Sequence, residues 1–157
     1  MVGNKLDEFD VKIIEILQKE ARIDISKIAK LVNLSHTPVT ERIRKLQEAG
    51  IITGYVALLD RKKTSMPVLV ILMVKLKDPN TRLFADFEEM VTIMPEVQSC
   101  YLISGNWNFI MHVTAATPQD YAAWIFEKIL CYSYIADVES AYLMRESKRF
   151  GPIPIIG

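Results

Sequence analysis

The sequence predicts an α+β protein in which a three-helix winged helix-turn-helix domain precedes a ferredoxin-like β-α-β-β-α-β domain. Apolar residues recur at helical spacings of three and four in the first part of the chain. Further on, apolar residues form short extended runs that alternate with two helical segments. A segment containing Gly, Lys and Pro separates the two patterns. We therefore predict a first domain at residues 1–50, a strand and linker at 51–65, and a second domain with a C-terminal tail at 66–157.

The first domain reads as three short helices. The segment "LDEFDVKIIEILQKEAR" has Asp7 as a plausible N-cap and apolar residues along one face, and "DISKIAKLVN" follows it. The third helix, "SHTPVTERIRKLQEAG", begins at a Ser35 cap and stops at Gly50, with Val39 and Ile43 facing inward. None of these helices is long enough to be stable alone, so each must pack on the other two.

The residues after Gly50 have an extended pattern. The segment "IITGYVALLD" is rich in β-branched and aromatic residues, which predicts a strand, and "RKKTSMP" supplies a charged connector. The second domain then reads as strand, helix, strand, turn, strand, helix and strand. Such a domain has helices on one face of its sheet only. Because "VLVILMV" and "NFIMHV" are apolar, the bare face needs a second sheet, which predicts a dimer.

The second and third helices have the spacing of a helix-turn-helix. Ala29 is small where two crossing helices approach closely, and Asn33 occupies the turn position that requires a left-handed backbone. In this motif the second helix presents its N-terminal turns to the major groove of DNA. The candidate DNA-binding residues are Ser26, Lys27, Ser35, His36, Thr37, Thr40, Glu41, Arg42, Arg44, Lys45, Lys62 and Lys63.

The charge distribution supports the DNA interpretation, although the cations have alternative roles. The whole chain is neutral, but residues 1–63 hold 12 Lys and Arg against 9 Asp and Glu. Arg44 could pair bidentately with guanine, whereas Arg42 could hold a phosphate or brace the domain. Lys45 could form an i, i+4 pair with Glu41, or these cations could simply be solvated.

Nearly the whole chain resembles the Lrp/AsnC (feast/famine) transcriptional regulators. The pattern S-x-x-x-V-x-x-R-I-x-x-L-x-x-x-G-I-I of the third helix is specific to that family, and "PEVQSCYLISG" and "RESKRFGPIPI" resemble its effector-binding and oligomerisation domain. The resemblance implies a homodimer built through RAM/AsnC-type domains, its assembly into tetramers or octamers, and double-stranded DNA sites with twofold character. It also implies an amino-acid effector near the glycine turn between the second and third strands.

This chain departs from the family pattern at that turn. The family sequence is close to G-D-x-D, whereas "SGNWNF" places Asn106 and Asn108 at the positions of the acids, and Val138 and Ser140 replace a frequent T-x-T. A charge-assisted hydrogen bond is roughly twice as strong as a neutral one, so either the ligand is less cationic, the effector has been lost, or the segment is only a turn. The candidate effector-binding residues are Tyr101, Ser104, Gly105, Asn106, Trp107, Asn108 and Ser140.

The remaining features exclude or weaken other classes of protein. No catalytic set, phosphate loop or metal-ligand spacing is recognisable, so we expect no enzyme, no cofactor and no metal. His112 reads as a sheet histidine, Cys100 and Cys131 as buried thiols, and Trp124 and Phe126 as core residues. The longest apolar run is too short to cross a bilayer, so we expect a cytoplasmic protein with no membrane partner. A sirohaem decarboxylase-type enzyme and an effector-independent architectural protein remain as alternatives.

Overall fold

The computed structural model describes residues 6–155, so the outermost ends of the two predicted domains lie outside the described residues. The chain divides into two compact units. Among the described residues, the first contains 6–57 together with 148–155, and the second spans Leu58–Ser147. The C-terminal tail, which we predicted to belong to the second domain, is therefore part of the first unit.

The first unit contains the three predicted helices, α1 (Glu8–Lys19), α2 (Ile25–Val32) and α3 (His36–Glu48). Asp7 caps α1 by accepting hydrogen bonds from the backbone N–H groups of Phe9 and Asp10. Asn33 ends α2 in the left-handed conformation, with φ of 57°. The helices enclose one apolar core, whose most buried members are Ile13, Ile14, Ile28, Ala29, Val32, Val39, Ile43 and Leu46.

The tail is joined to this unit by a pair of hydrogen bonds. The side-chain amide of Gln18 donates to the carbonyl oxygen of Ile153 (3.1 Å) and accepts from its N–H (2.6 Å). Ile155 also packs against the core of the three helices. The sequence does not indicate these contacts, because they join residues 135 positions apart, which no local pattern reports.

The strand predicted after Gly50 does not form: residues 53–60 are neither helix nor strand, and a short 3-10 helix follows at Arg61–Lys63. The segment exposes several apolar side chains, including Val56, which is 80% exposed. A strand exists only where a neighbouring strand completes its hydrogen bonds. The composition was read correctly, but no described part of this chain pairs with the segment as a strand.

The second unit is the predicted β-α-β-β-α-β domain. Its elements are β1 (Val68–Leu76), α4 (Thr81–Thr92), β2 (Val97–Leu102), β3 (Phe109–Ala115), α5 (Pro118–Lys128) and β4 (Ile135–Tyr142). The strands form one antiparallel sheet in the order β2-β3-β1-β4. A register shift interrupts the β1–β4 pairing between Lys75 and Leu76.

The two faces of this sheet differ. Alternate residues of β1 and β3, such as Leu72 and Met111, are fully buried in a core that includes residues of α4 and α5. The intervening residues, such as Ile71 and Ile110, lie on the opposite face and are only partly buried. The predicted bare, apolar sheet face is therefore present.

Two predictions about buried residues were wrong. Trp124 lies in the core as expected, but Phe126, two residues further along α5, is 67% exposed. Positions two apart on a helix point in different directions, so both cannot face the core. Cys131 is also exposed, because it follows the end of α5 rather than lying in an element. Cys100 is half-buried, and burial raises the pKa of its thiol to about 11.

Candidate functional site

The surface of α3 carries the predicted DNA-binding residues. Ser35 occupies the N-cap position, but its side chain makes no capping hydrogen bond. Along the helix Val39, Ile43 and Leu46 are buried, which turns the polar positions between them outward. The exposed candidates on α2 and α3 are Ser26, Lys27, Ser35, His36, Thr37, Thr40, Glu41, Arg44 and Lys45. Thr40 already donates its hydroxyl to the carbonyl oxygen of His36 (3.0 Å).

Arg42 differs from its neighbours on α3 because its side chain makes contacts within the helical domain. Its guanidinium donates to a carboxylate oxygen of Asp7 and to one of Asp10, each at 2.7 Å, and lies over the ring of Phe9. These contacts raise the pKa of Arg42, chiefly through the hydrogen bond to Asp10. The pKa of Asp7 is lowered, first by a hydrogen bond from the backbone of Asp10 and then by Arg42. Of the two roles left open for Arg42, the geometry supports bracing α3 against α1.

Arg44 is the outward arginine, and two carboxylates hold it. Its Nε and Nη2 atoms donate to one oxygen of Glu41 (3.2 and 2.9 Å), and its Nη1 donates to Glu48. The predicted Glu41–Lys45 pair does not form, because Glu41 is engaged by Arg44 instead. Lys45 forms no ion pair with any residue in the range 6–155. The sequence did not identify Glu48 as a site residue, although its i, i+4 spacing from Arg44 was a visible signal.

Lys62 and Lys63 lie in the second unit, in the 3-10 helix that follows Asp60. The Asp60 carboxylate accepts a hydrogen bond from the backbone N–H of Lys62 (3.1 Å) and lies 3.8 Å from the ammonium of Lys63. Both lysine side chains are exposed to solvent. Exposed lysines of this kind can contact phosphate groups, which position a protein on a duplex.

The predicted effector turn joins β2 to β3. Gly105 has φ of 129°, which favours glycine, and the N–H of Ile103 donates to the carbonyl oxygen of Asn108 (2.8 Å). The side-chain oxygen of Asn108 accepts the N–H of Leu76 (2.8 Å), at the register shift of β1. This oxygen is therefore engaged in the sheet and already accepts a backbone hydrogen bond. Asn106 is exposed at the tip of the turn.

The other effector candidates are divided between the two faces of the sheet. Tyr101 is exposed and lies edge-on to His112, on the face away from the helices. The hydroxyl of Ser140 is 2.6 Å from that of Tyr121, a buried residue of α5, and so faces the helices. The structure therefore brings together residues 104–108 but does not place Tyr101 and Ser140 on one surface of a single chain. Sequence analysis did not single out Tyr121. Its spacing of three residues from Trp124 was the signal that places it on the buried face of α5.

The described residues contain neither a metal-binding cluster nor a membrane-spanning helix. Within residues 6–155, no group of three or more His, Cys, Asp or Glu side chains could hold a metal ion. In the same range, no helix combines the length and the apolar character needed to cross a membrane. His112 is held by Ser99, whose hydroxyl lies 2.9 Å from its Nδ1 atom. The histidine therefore has the structural role in the sheet that we predicted.

An exposed recognition helix joined to a ferredoxin-like domain defines a two-domain DNA-binding regulator. Residues 6–53 match the winged helix-turn-helix DNA-binding family, and residues 69–153 match the Lrp/AsnC ligand binding domain. The chain therefore belongs to the Lrp/AsnC family of transcriptional regulators. This result confirms the predicted family and the α+β fold class.

Individual relatives agree with this assignment. The chain is 39% identical to the transcriptional regulatory protein DoeX of Halomonas elongata over 123 residues, which cover 78% of each chain. It is 31% identical to the leucine-responsive regulatory protein of Haemophilus influenzae over 92% of this chain and 87% of that one. Both relatives are regulators by name, and neither supports the sirohaem decarboxylase alternative.

Two solved structures have the same fold. The AsnC family regulator of Agrobacterium tumefaciens has a TM-score of 0.86 at 32% identity and covers 95% of this chain and 97% of its own. A Neisseria meningitidis regulator in complex with L-Met has a TM-score of 0.89 at 25% identity and covers 96% of this chain and 97% of its own.

Proposed function

We propose that this regulator reads a specific duplex sequence through the exposed face of α3. The observation that carries the proposal is the sidedness of α3, in which Val39, Ile43 and Leu46 are buried and the polar positions between them face solvent. A recognition helix of this kind contacts base edges through its N-terminal turns. The N-terminal N–H groups of α3, near His36 and Thr37, can also receive a phosphate.

The side chains divide into two proposed roles. Arg44 can donate to the O6 and N7 atoms of guanine, and Thr37 and Glu41 lie on the same outward side of the helix. Ser26 and Lys27 on α2, and Lys45 on α3, contact phosphates, which position the domain without reading sequence. Lys62 and Lys63 contact phosphates as well. Arg42 makes no DNA contact in this proposal, because Asp7 and Asp10 hold its guanidinium.

The working assembly is a homodimer that associates further into tetramers or octamers. The partly buried apolar face of the sheet supports this proposal, because a face with residues such as Ile71 and Ile110 is stabilised by a second sheet. Residues 53–60 support it too, since an extended segment with exposed apolar side chains is suited to pairing with a second copy. Two symmetric recognition helices would contact half-sites about one helical turn apart. Light scattering distinguishes these sizes.

We propose that the protein works in the cytoplasm. The relatives named above are bacterial, and a bacterial regulator that binds chromosomal DNA works in the cytoplasm. We propose no catalytic role and no cofactor for the chain. The described residues offer side chains for binding and for packing, and the proposed activity requires no bond to be formed or broken.

The experiment that tests DNA recognition is the substitution Arg44→Ala. Target duplexes are first selected from random sequences, and affinities are then measured by fluorescence anisotropy at fixed salt. Losing one bidentate guanine contact should weaken target binding about tenfold or more, because such a contact contributes roughly 1–3 kcal/mol of discrimination. The oligomer size should stay the same, since the ion pairs of Arg44 among the described residues are with Glu41 and Glu48 of its own helix.

The matched control is Arg82→Ala, which removes the same charge from an exposed helical arginine in the second unit. Arg82 is 92% exposed and has one long ion pair with Asp86 (4.0 Å). Its removal should leave target affinity nearly unchanged. Equal losses in the two variants would show that total charge, and not base recognition by α3, determines binding.

We further propose that the turn at residues 104–108 binds the small-molecule effector. The matching domain is a ligand-binding one, but Asn106 and Asn108 supply no negative charge for the ammonium of an amino acid. A thermal-shift screen should therefore find weak responses to amino acids in the wild-type protein, and Asn106→Asp should strengthen them, because a charge-assisted hydrogen bond is roughly twice as strong. No response to any metabolite in either protein would favour an effector-independent regulator.

A further inference from the structure

We propose that Glu41 and Glu48 form a carboxylate clamp on Arg44, and that this clamp determines how strongly the regulator discriminates against non-target DNA. The inference rests on the proposed DNA-binding role of α3. Glu41 accepts from two nitrogens of the Arg44 guanidinium and Glu48 accepts from the third. All three side chains are more than half exposed, so the clamp lies on the face that would approach DNA.

Helix stability does not explain why a glutamate occupies position 48. Glu48 is the last residue of α3, where the negative end of the helix dipole disfavours an anion. The order of the pair, with the cation four residues before the anion, is also the less favourable one. The contact of Glu48 that the structure shows is its ion pair with Arg44. These observations support a functional role for the clamp.

The clamp occupies the outward arginine of α3 with two carboxylates. Arg42 is held by α1, and Glu41 and Glu48 both pair with Arg44, which leaves Lys45 as the cation of α3 without an ion pair among residues 6–155. Phosphate attraction supplies most non-specific DNA affinity. A surface in this state therefore attracts an arbitrary duplex only weakly, unlike the cationic helix that the sequence suggests.

A matched sequence can repay the cost of opening the clamp, whereas a mismatched one cannot. Guanine offers two acceptors that replace the carboxylates around Arg44, and the N4 amine of cytosine can donate to the freed Glu41. A backbone phosphate of an arbitrary duplex gives Arg44 one partner. It leaves the two glutamates unpaired and close to the negative DNA backbone. Glu41 and Glu48 thus act as specificity-determining residues by penalising the wrong duplex.

The test compares Glu48→Gln and the double variant Glu41→Gln/Glu48→Gln with the wild-type full chain. Anisotropy titrations use the selected target duplex and a scrambled duplex over a range of salt concentrations. In the double variant, affinity for the scrambled duplex should rise roughly three- to tenfold, and the slope of log K against log salt should steepen by about 1, as expected when Arg44 neutralises one more phosphate. Target affinity should change less, so the specificity ratio should fall.

The same substitutions in an Arg44→Met background separate the clamp from a general effect of charge. Without Arg44 there is no cation to release, so the salt slope should stay constant when the glutamates are replaced. An equal gain of scrambled-duplex affinity in both backgrounds would overturn the clamp, because it would show that the carboxylates act only by repelling DNA. Circular dichroism verifies that every variant is folded.

The outcomes also distinguish this inference from the proposed function. If target binding is insensitive to Arg44, then the assignment of α3 as the reading helix is wrong. A second outcome is that target binding depends on Arg44 but the specificity ratio is unchanged in Glu41→Gln/Glu48→Gln. In that case α3 is still the recognition helix, and only the carboxylate clamp is refuted.

Discussion

Replacing Phe109 with Ala should destabilise the sheet domain by about 3–5 kcal/mol, the range for removing a buried aromatic ring from a core. Phe109 is fully buried at the start of β3. Its ring stacks on Phe87 with centroids 4.5 Å apart and meets Phe84 edge-on at 5.8 Å. Its backbone also pairs with Val74 of β1, next to the turn at residues 104–108. The substitution would therefore weaken the packing of α4 on the sheet. This packing lies next to the proposed effector turn.

The two tryptophans make this prediction measurable. Both Trp107 and Trp124 belong to the second unit, so tryptophan fluorescence in a urea titration reports the unfolding of that unit. In Phe109→Ala the fluorescence midpoint should fall well below that of the wild type. The matched control is Phe126→Ala, which removes the same ring from a position that is 67% exposed. It should change the free energy of unfolding by less than about 0.5 kcal/mol. Similar losses in both variants would contradict the core position of Phe109.

The elements of this fold were predictable from sequence because their signals are local. Asp7 caps a helix through N–H groups two and three residues away, and Asn33 adopts a left-handed turn within its own segment. The strands of the second domain are indicated by apolar runs, which end near residues such as Gly105 in a turn and Pro118 at the start of α5. Patterns of this kind predict element type and order without knowledge of the partners.

The residues that these side chains contact in the folded chain could not be predicted from the sequence. The sequence left two roles open for Arg42 and named no partner for it, whereas in the structure Arg42 braces α1 and Arg44 is held on the surface by two glutamates. The difference depends on where α3 lies against α1, which is a tertiary property. Asn108 looked like a ligand residue, but its side-chain oxygen bonds to Leu76, 32 residues earlier in the chain. The segment 53–60 was misread because a strand also needs a neighbour.

Replacing Arg42 with Met should destabilise the helical unit by about 2 kcal/mol, because it leaves two carboxylates without their shared partner. The Asp10 side chain is only 18% exposed, so its unpaired charge is costly, whereas that of Asp7 is 47% exposed and better screened by water. Met retains most of the apolar stem that packs near Phe9, so the loss should come mainly from the ion pairs. The substitution removes no proposed DNA contact, yet DNA affinity should fall because α3 is no longer fixed on α1.

The readout again separates the two units. Helical circular dichroism reports the helices of both units, whereas tryptophan fluorescence reports only the second, so Arg42→Met should show an earlier urea transition by circular dichroism and little change by fluorescence. Arg82→Met is the control, since its long ion pair is almost fully exposed and should contribute almost nothing. Adding Asp10→Asn to Arg42→Met should recover part of the loss by removing the unpaired charge. No recovery would indicate that Arg42 acts through packing alone.

The pH dependence of the free energy of unfolding tests the contact between Arg42 and Asp7 independently. Because the pKa of Asp7 is lowered in the folded chain, first by the backbone N–H of Asp10 and then by Arg42, its charged form stabilises the fold above its ordinary pKa of 3.8. That contribution should disappear as the pH falls from about 3.8 through the lowered folded-state value. In Arg42→Met the acid-induced loss should be smaller but not absent, since the backbone hydrogen bond remains. An unchanged acid profile would show that Arg42 does not stabilise the charged carboxylate.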